Sequence, residues 1–139
     1  MARTTFNGPV ASQNGFISGH QVTTDNAINA TATATAAQVA SGYITSTSAA
    51  PTTITLPTGT ALGNAINATQ GTVLDLYIDN TAGASTVTIA VNTNAVKSTA
   101  AVDSATSFGD VTIASGATGL ARLTIMFSSP TAYAFTRTA

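Results

Sequence analysis

The chain has 139 residues, 44% hydrophobic and only 6% charged, with a formal net charge of −1, against about 25% charged residues in an average soluble protein. It contains no Cys, which excludes disulfides, thiolate metal sites and Cys nucleophiles, and it has no basic field to hold the phosphates of a nucleic acid. Plentiful apolar residues with scarce charge are the reverse of a disordered composition, and the length suits one domain.

Thr (28 residues) and Ala (27) dominate. Thr is β-branched and fits a pleated, half-exposed surface, so a β-rich module with hydroxyls and methyls outside is expected. Near-neutral surfaces of this kind favour association. The start "MARTTFNGPV" lacks the apolar core of a signal peptide, and no apolar run reaches membrane-spanning length. The expectation is a protein made in a cytoplasm without N-terminal export and with no membrane partner.

Residues 1–19 read as an extended N-terminal arm. "NGPV" and "QNGF" are turn signals, Pro9 pushes Gly8 toward extended conformations, and no helical period is present. Phe6 and Phe16 sit here among Gly, Pro and Asn, although chain starts are usually polar. Their rings are expected to bury against something, either the chain's own body or a neighbour reached by strand addition. At about 3.3 Å per residue the arm could span roughly 60 Å. His20, at the junction with the body, reads as a polar hinge.

"TATATA" within residues 21–40 is either a flat strand or part of a connector, with poorly specified register. "YITSTS" (43–48) and "TTITL" (52–56) are strands flanking Pro51, with Ile54 and Leu56 on one face. "TALGNAINAT" (60–69) places Leu62 and Ile66 at i, i+4 and predicts a short helix or turn, weakened by its Gly and two Asn. "TVLDLYID" (72–79) puts Leu74, Leu76 and Ile78 inward and Asp75, Tyr77 and Asp79 outward. "STVTIAV" (85–91) turns Val87, Ile89 and Val91 inward, and with the loop "NTAGA" the two strands predict a hairpin. Residues 92–109 read as a long polar loop or one irregular strand.

"DVTIA" (110–114) resumes the pattern, and "SGATG" reads as a hairpin turn. "LARLTIMF" (120–127) sets Leu123, Ile125 and Phe127 against Arg122, Thr124 and Met126. "SSPT" then turns the chain into "AYAFTR" (132–137), with Tyr133 and Phe135. The predicted fold is all-β: one β-sandwich or jelly-roll-like body over 20–139, built of two packed antiparallel sheets, with the arm 1–19 attached.

Little of this suggests chemistry. Asp75 and Asp79 share a strand face but stand roughly 13 Å apart at about 3.3 Å per residue, too far to pinch one bond or one metal. A single His20 has no nucleophile-elbow pattern near it. The "DN" pairs at Asp25–Asn26 and Asp79–Asn80 could lend calcium ligands, but turn formation explains them more simply. "SGATG" lacks a phosphate-loop Lys. The N-x-T sequons at Asn29 and Asn67 are expected by chance in so Asn- and Thr-rich a chain. No enzyme activity, cofactor or metal site is predicted.

The stretch "TTFNGPVASQNGF" resembles the opening of small structural proteins encoded beside the major capsid protein in tailed phages. "GYITSTSAAPTTITLPTGTALGNAI" and "TQGTVLDLYIDNTAGASTVTIAV" resemble their body, and "VTIASGATGLARLTIMFSSPTAYAFTR" their closing hairpin. The "NGP" near the start and the turn from Ile78 to Gly83 are the most distinctive features. The resemblance implies a capsid decoration, or cement, protein: a homotrimer on the outer surface of the virion, bound to the major capsid protein where capsomers meet. On that basis Phe6, Pro9, Val10 and Phe16 are expected to anchor the arm, with Ile17 beside them. Asn7, Gly8, Asn14 and Gly15 would shape it. The alternative is a head-fibre or tail-fibre domain with a glycan-binding role, for which Tyr43, Tyr77 and Tyr133 are the available tyrosines and Tyr77 the one on a clearly outward face.

Overall fold

Short runs of β-branched residues, broken every few positions by Pro, Gly or Asn, give short strands that change direction often. The computed structural model describes residues 26–97 and 111–139. The predicted arm, with Phe6, Asn7, Gly8, Pro9, Val10, Asn14, Gly15, Phe16 and Ile17, lies outside the described residues, as do His20 and Asp25. The described residues form strands β1 (Ala32–Thr33), β2 (Tyr43–Thr45), β3 (Thr52–Thr55), β4 (Val73–Asp79) and β5 (Val87–Ala90). These are followed by β6 (Ala95–Lys97), β7 (Val111–Ile113), β8 (Leu120–Ser129) and β9 (Ala132–Arg137). Helices α1 (Ala36–Ala40) and α2 (Gly59–Ile66) lie between β1 and β2 and between β3 and β4.

The strands build two mixed sheets, one ordered β1-β3-β5-β7 and the other β2-β4-β8-β9-β6. From β1 to β8 the chain changes sheet at every step. Strands β1, β3 and β5 run parallel in one layer, and β2 and β4 parallel in the other. The strand β7 is antiparallel to β5, and β8 is antiparallel to both β4 and β9. The expectation of wholly antiparallel sheets is thus corrected: a chain that crosses to the other sheet and back can return in its starting direction, as it does from β1 through β5, whereas β7 and β8 return reversed.

The same crossing corrects two predicted hairpins. Strands β4 and β5 have the expected inward residues, with Leu76, Ile78, Val87 and Ile89 fully buried, yet they belong to different sheets. "SGATG" likewise joins β7 in one sheet to β8 in the other, through a 3-10 turn at Gly116–Thr118. Alternation with period two says which face meets the core, and two strands facing each other across that core share it as readily as two strands side by side. The β8–β9 hairpin forms as predicted, with Ile125 opposite Phe135 and Phe127 opposite Tyr133.

Inward residues of both sheets join Leu56, just past β3, and Leu62 of α2 in one buried cluster, which includes Ile44, Ile54, Leu123 and Phe127. The Phe127 and Tyr133 rings pack 5.5 Å apart at 52°. "TATATA" resolves into the two residues of β1, the buried Ala34 and the start of α1. A capping box starts α1, in which the Gln38 amide N–H donates to Thr35 Oγ1 at 3.1 Å and the Thr35 N–H to Gln38 Oε1 at 2.9 Å. The Thr58 hydroxyl caps α2, and Asn67 ends it in the left-handed region at φ 51°.

Gly59 and Gly63 share one face of α2. A Cβ at Gly59 would run into the carbonyls of Thr131 and Asn94, and one at Gly63 into that of Pro130. The helix therefore lies directly on the β8–β9 turn. At the edge of the larger sheet, Asn26–Ile28 runs parallel along β2, with Ile28 N–H donating to Thr45 O at 2.9 Å.

Candidate functional site

The turn from Ile78 to Gly83 carries the chain out of β4 toward the opposite sheet, and Asn80 shapes it. This side chain is fully buried. Its Nδ2 donates to Ser85 O at 2.8 Å and Ala114 O at 2.9 Å, and its backbone N–H donates to Gly119 O at 2.8 Å. Asn80 thus binds the β4–β5 crossing to the β7–β8 crossing. Gly83 and Gly119 both press on it: a Cβ at Gly83 would meet Asn80 Oδ1, and one at Gly119 would lie 2.7 Å from the Asn80 carbonyl.

Beside this turn Asp79 is held by its neighbours. Thr81 donates both its hydroxyl, at 2.6 Å, and its backbone N–H, at 3.0 Å, to Oδ1, and the Tyr43 hydroxyl donates to Oδ2 at 2.7 Å. The Thr81 hydroxyl, the Thr81 N–H and the Tyr43 hydroxyl together hold the carboxyl below its ordinary value. The bond to Asp79, aided by burial and by the carboxylate charge, raises the Tyr43 phenol above its own. A shallow cleft of about 260 Å³ opens here, lined by Asn29, Thr45, Ser46, Thr47, Asp79 and Thr81 among others. Asn29 Oδ1 accepts the Thr47 N–H at 2.7 Å. The Ser46 hydroxyl is buried and has no hydrogen-bond partner among the described residues.

The other sequence-predicted positions are separated. Asp75 accepts the Thr124 hydroxyl at 2.7 Å, away from the Tyr43–Asp79 bond. The tyrosines divide by position: Tyr43 and Tyr77 are register neighbours on the outer face of the larger sheet, whereas Tyr133 is buried with its hydroxyl donating to Pro57 O at 2.7 Å. Burial raises the Tyr133 phenol above its ordinary value. Among the described residues no three His, Asp or Glu side chains gather where they could hold a metal ion, and no helix is long and apolar enough to cross a membrane.

The outer face of the β2-β4-β8-β9-β6 sheet also exposes large apolar side chains. Val73, Val96, Leu120 and Met126 are each more than half exposed. Alternation placed Met126 outward, but it could not show which apolar residues on different strands stand side by side, since that depends on strand pairing. No protein-family model, curated protein or solved structure matches this chain.

Proposed function

We propose that this chain is a capsid decoration, or cement, protein of a tailed phage. It would sit as a homotrimer on the outer surface of the head and hold the major capsid protein through residues 1–19. The observation that carries this reading is the surface: large apolar side chains stand exposed on one sheet face, while Asp75 and Asp79 are both occupied by neighbouring hydroxyls. Such a surface suits lasting apolar and backbone contact, which a shell under internal pressure requires, and offers little for catalysis. The two sheets serve as the compact, jelly-roll-like sandwich body that presents the arm. The stretch from Ile78 to Gly83, among the most distinctive parts of the resemblance, contributes the bend between its layers.

The test is occupancy on purified heads. Phe6→Ala combined with Phe16→Ala should abolish retention of the protein on sedimented heads, and unchanged occupancy would show the anchor assignment to be wrong.

A second reading, a fibre domain that binds glycans, is favoured by the cleft beside Asp79. Its Asn29, Thr45, Thr47 and Thr81 are the hydrogen-bonding types a polyhydroxylated ligand uses, and Tyr43 and Tyr77 lie alongside. A glycan array separates the two, since a cement protein should leave it blank.

A further inference from the structure

An apolar row crosses four strands of the larger sheet. Val73 of β4 pairs with Met126 of β8, Met126 with Ala134 of β9, and Ala134 with Val96 of β6. Adjacent strands lie about 4.8 Å apart, so these side chains stand shoulder to shoulder on the outer face. Val73 is 57% exposed, Met126 55% and Val96 61%. Exposed apolar residues scattered singly need no explanation. A row aligned by register across four strands is a contiguous patch, and contiguous patches mark interaction surfaces.

The neighbouring rows define what can cover it. One step along the strands stand Asp75, Thr124 and Thr136 in register, with the Thr124 hydroxyl on Asp75. One step further, Tyr77 pairs with Arg122, whose Nε donates to Thr138 Oγ1 at 2.9 Å. The face thus carries two acidic side chains, Asp75 and Asp79, each held by neighbouring hydroxyls, and one basic side chain, Arg122, and the whole chain has a net charge of −1. Such a sparsely charged, mixed-sign face meets another copy of this chain with little like-charge repulsion, and it has too little charge to attract a strongly charged partner. Its size also fits. Five strands at about 4.8 Å span roughly 24 Å, and the outward residues of β4 extend roughly 20 Å along them. That is on the order of 500 Å² per copy, or about 1,000 Å² in total, the lower bound for a specific interface.

We propose that the outer face of the β2-β4-β8-β9-β6 sheet, centred on the row Val73–Met126–Ala134–Val96, is covered by a neighbouring copy of the chain. The proposal rests on the oligomer in the cement reading and not on the capsid. Solution mass therefore tests this face alone, while head occupancy tests the other claim.

Light scattering on the full chain should give a multiple of 13.8 kDa, and Met126→Asp should reduce it to the single-chain mass with unchanged circular dichroism. A wild type that stays at the single-chain mass, or a folded Met126→Asp with the wild-type mass, overturns the proposal. The chain has no Cys, so a thiol introduced by Met126→Cys reports on the face even if the Asp variant does not fold. It should react with iodoacetamide several-fold more slowly than one introduced by Thr60→Cys at an exposed position on α2, and equal rates overturn the proposal. Adding Phe6→Ala and Phe16→Ala should leave both the mass and the protection in place. If that change instead frees the thiol, the N-terminal segment is the occupant and a neighbouring body is not.

Discussion

Asn80 joins the two places where the chain passes between layers, with Gly83 and Gly119 closed against it. Asn80→Ala leaves the carbonyls of Ser85 and Ala114 without that donor inside the protein and should cost about 1–3 kcal/mol, measured by urea unfolding. Gly83→Ala should cost a similar amount, about 1–3 kcal/mol, by driving a methyl into Asn80 Oδ1. Combined, the two should cost clearly less than their sum, because removing the Asn80 side chain removes most of the obstruction. The stretch from Ile78 to Gly83 was conspicuous in the sequence, but its role was not. Turn chemistry marks where a chain bends and leaves open whether it returns to the same sheet.

A pH dependence belongs to the same scale. The lowered Asp79 carboxyl contributes stability that is present above its ordinary value of 3.8 and lost as pH falls through the folded value. The raised Tyr43 phenol contributes stability present below its ordinary value of 10.0 and lost as pH rises through the folded value. Asp79→Asn should make the acid limb of a stability–pH profile shallower. Tyr43→Phe should soften the alkaline limb only in part, since buried Tyr133 is raised as well.

Among the elements, α2 shows how a residue's apparent weakness can serve packing. Two Asn and Gly63 mark this stretch as a weakened helix in the sequence, and Gly59 and Gly63 both lower helix propensity. Their place against the backbone of the β8–β9 turn gives the reason they are there. Gly63→Ala would gain up to about 1 kcal/mol on an exposed helix. Here it should destabilise by about 1–3 kcal/mol through overpacking, whereas Asn64→Ala, on the exposed side of the same helix, should be neutral or slightly stabilising. Thermal unfolding of the two variants gives the comparison. The strands show the complementary lesson: inward residues of β4, β5, β8 and β9 were legible from alternation, and the β8–β9 pairing from its tight turn. The partners of β4 and β5 were not, because they are fixed by contacts distant in sequence. The interface residues assigned to the arm lie outside the described residues, and the apolar row emerged only once register was known.

For the whole molecule, sparse charge sets how assembly responds to its surroundings. Few ionic contacts are available to be screened, so both the proposed self-association and the proposed retention on heads should change little between low and high salt. Sedimentation across a salt series checks this, and a steep loss of binding would indicate an ionic clamp in place of apolar anchors.

The alternation of strands between layers has a kinetic consequence. Ala32 waits for Ile54, Thr52 for Val87, and Val73 for Met126, so most of the pairing comes only after long loops have closed. Neither sheet can be completed while the other remains open, because each takes its strands from the same to-and-fro path. Such a chain should gather on a timescale of roughly milliseconds to seconds and come apart all at once, with no half-built layer surviving on its own.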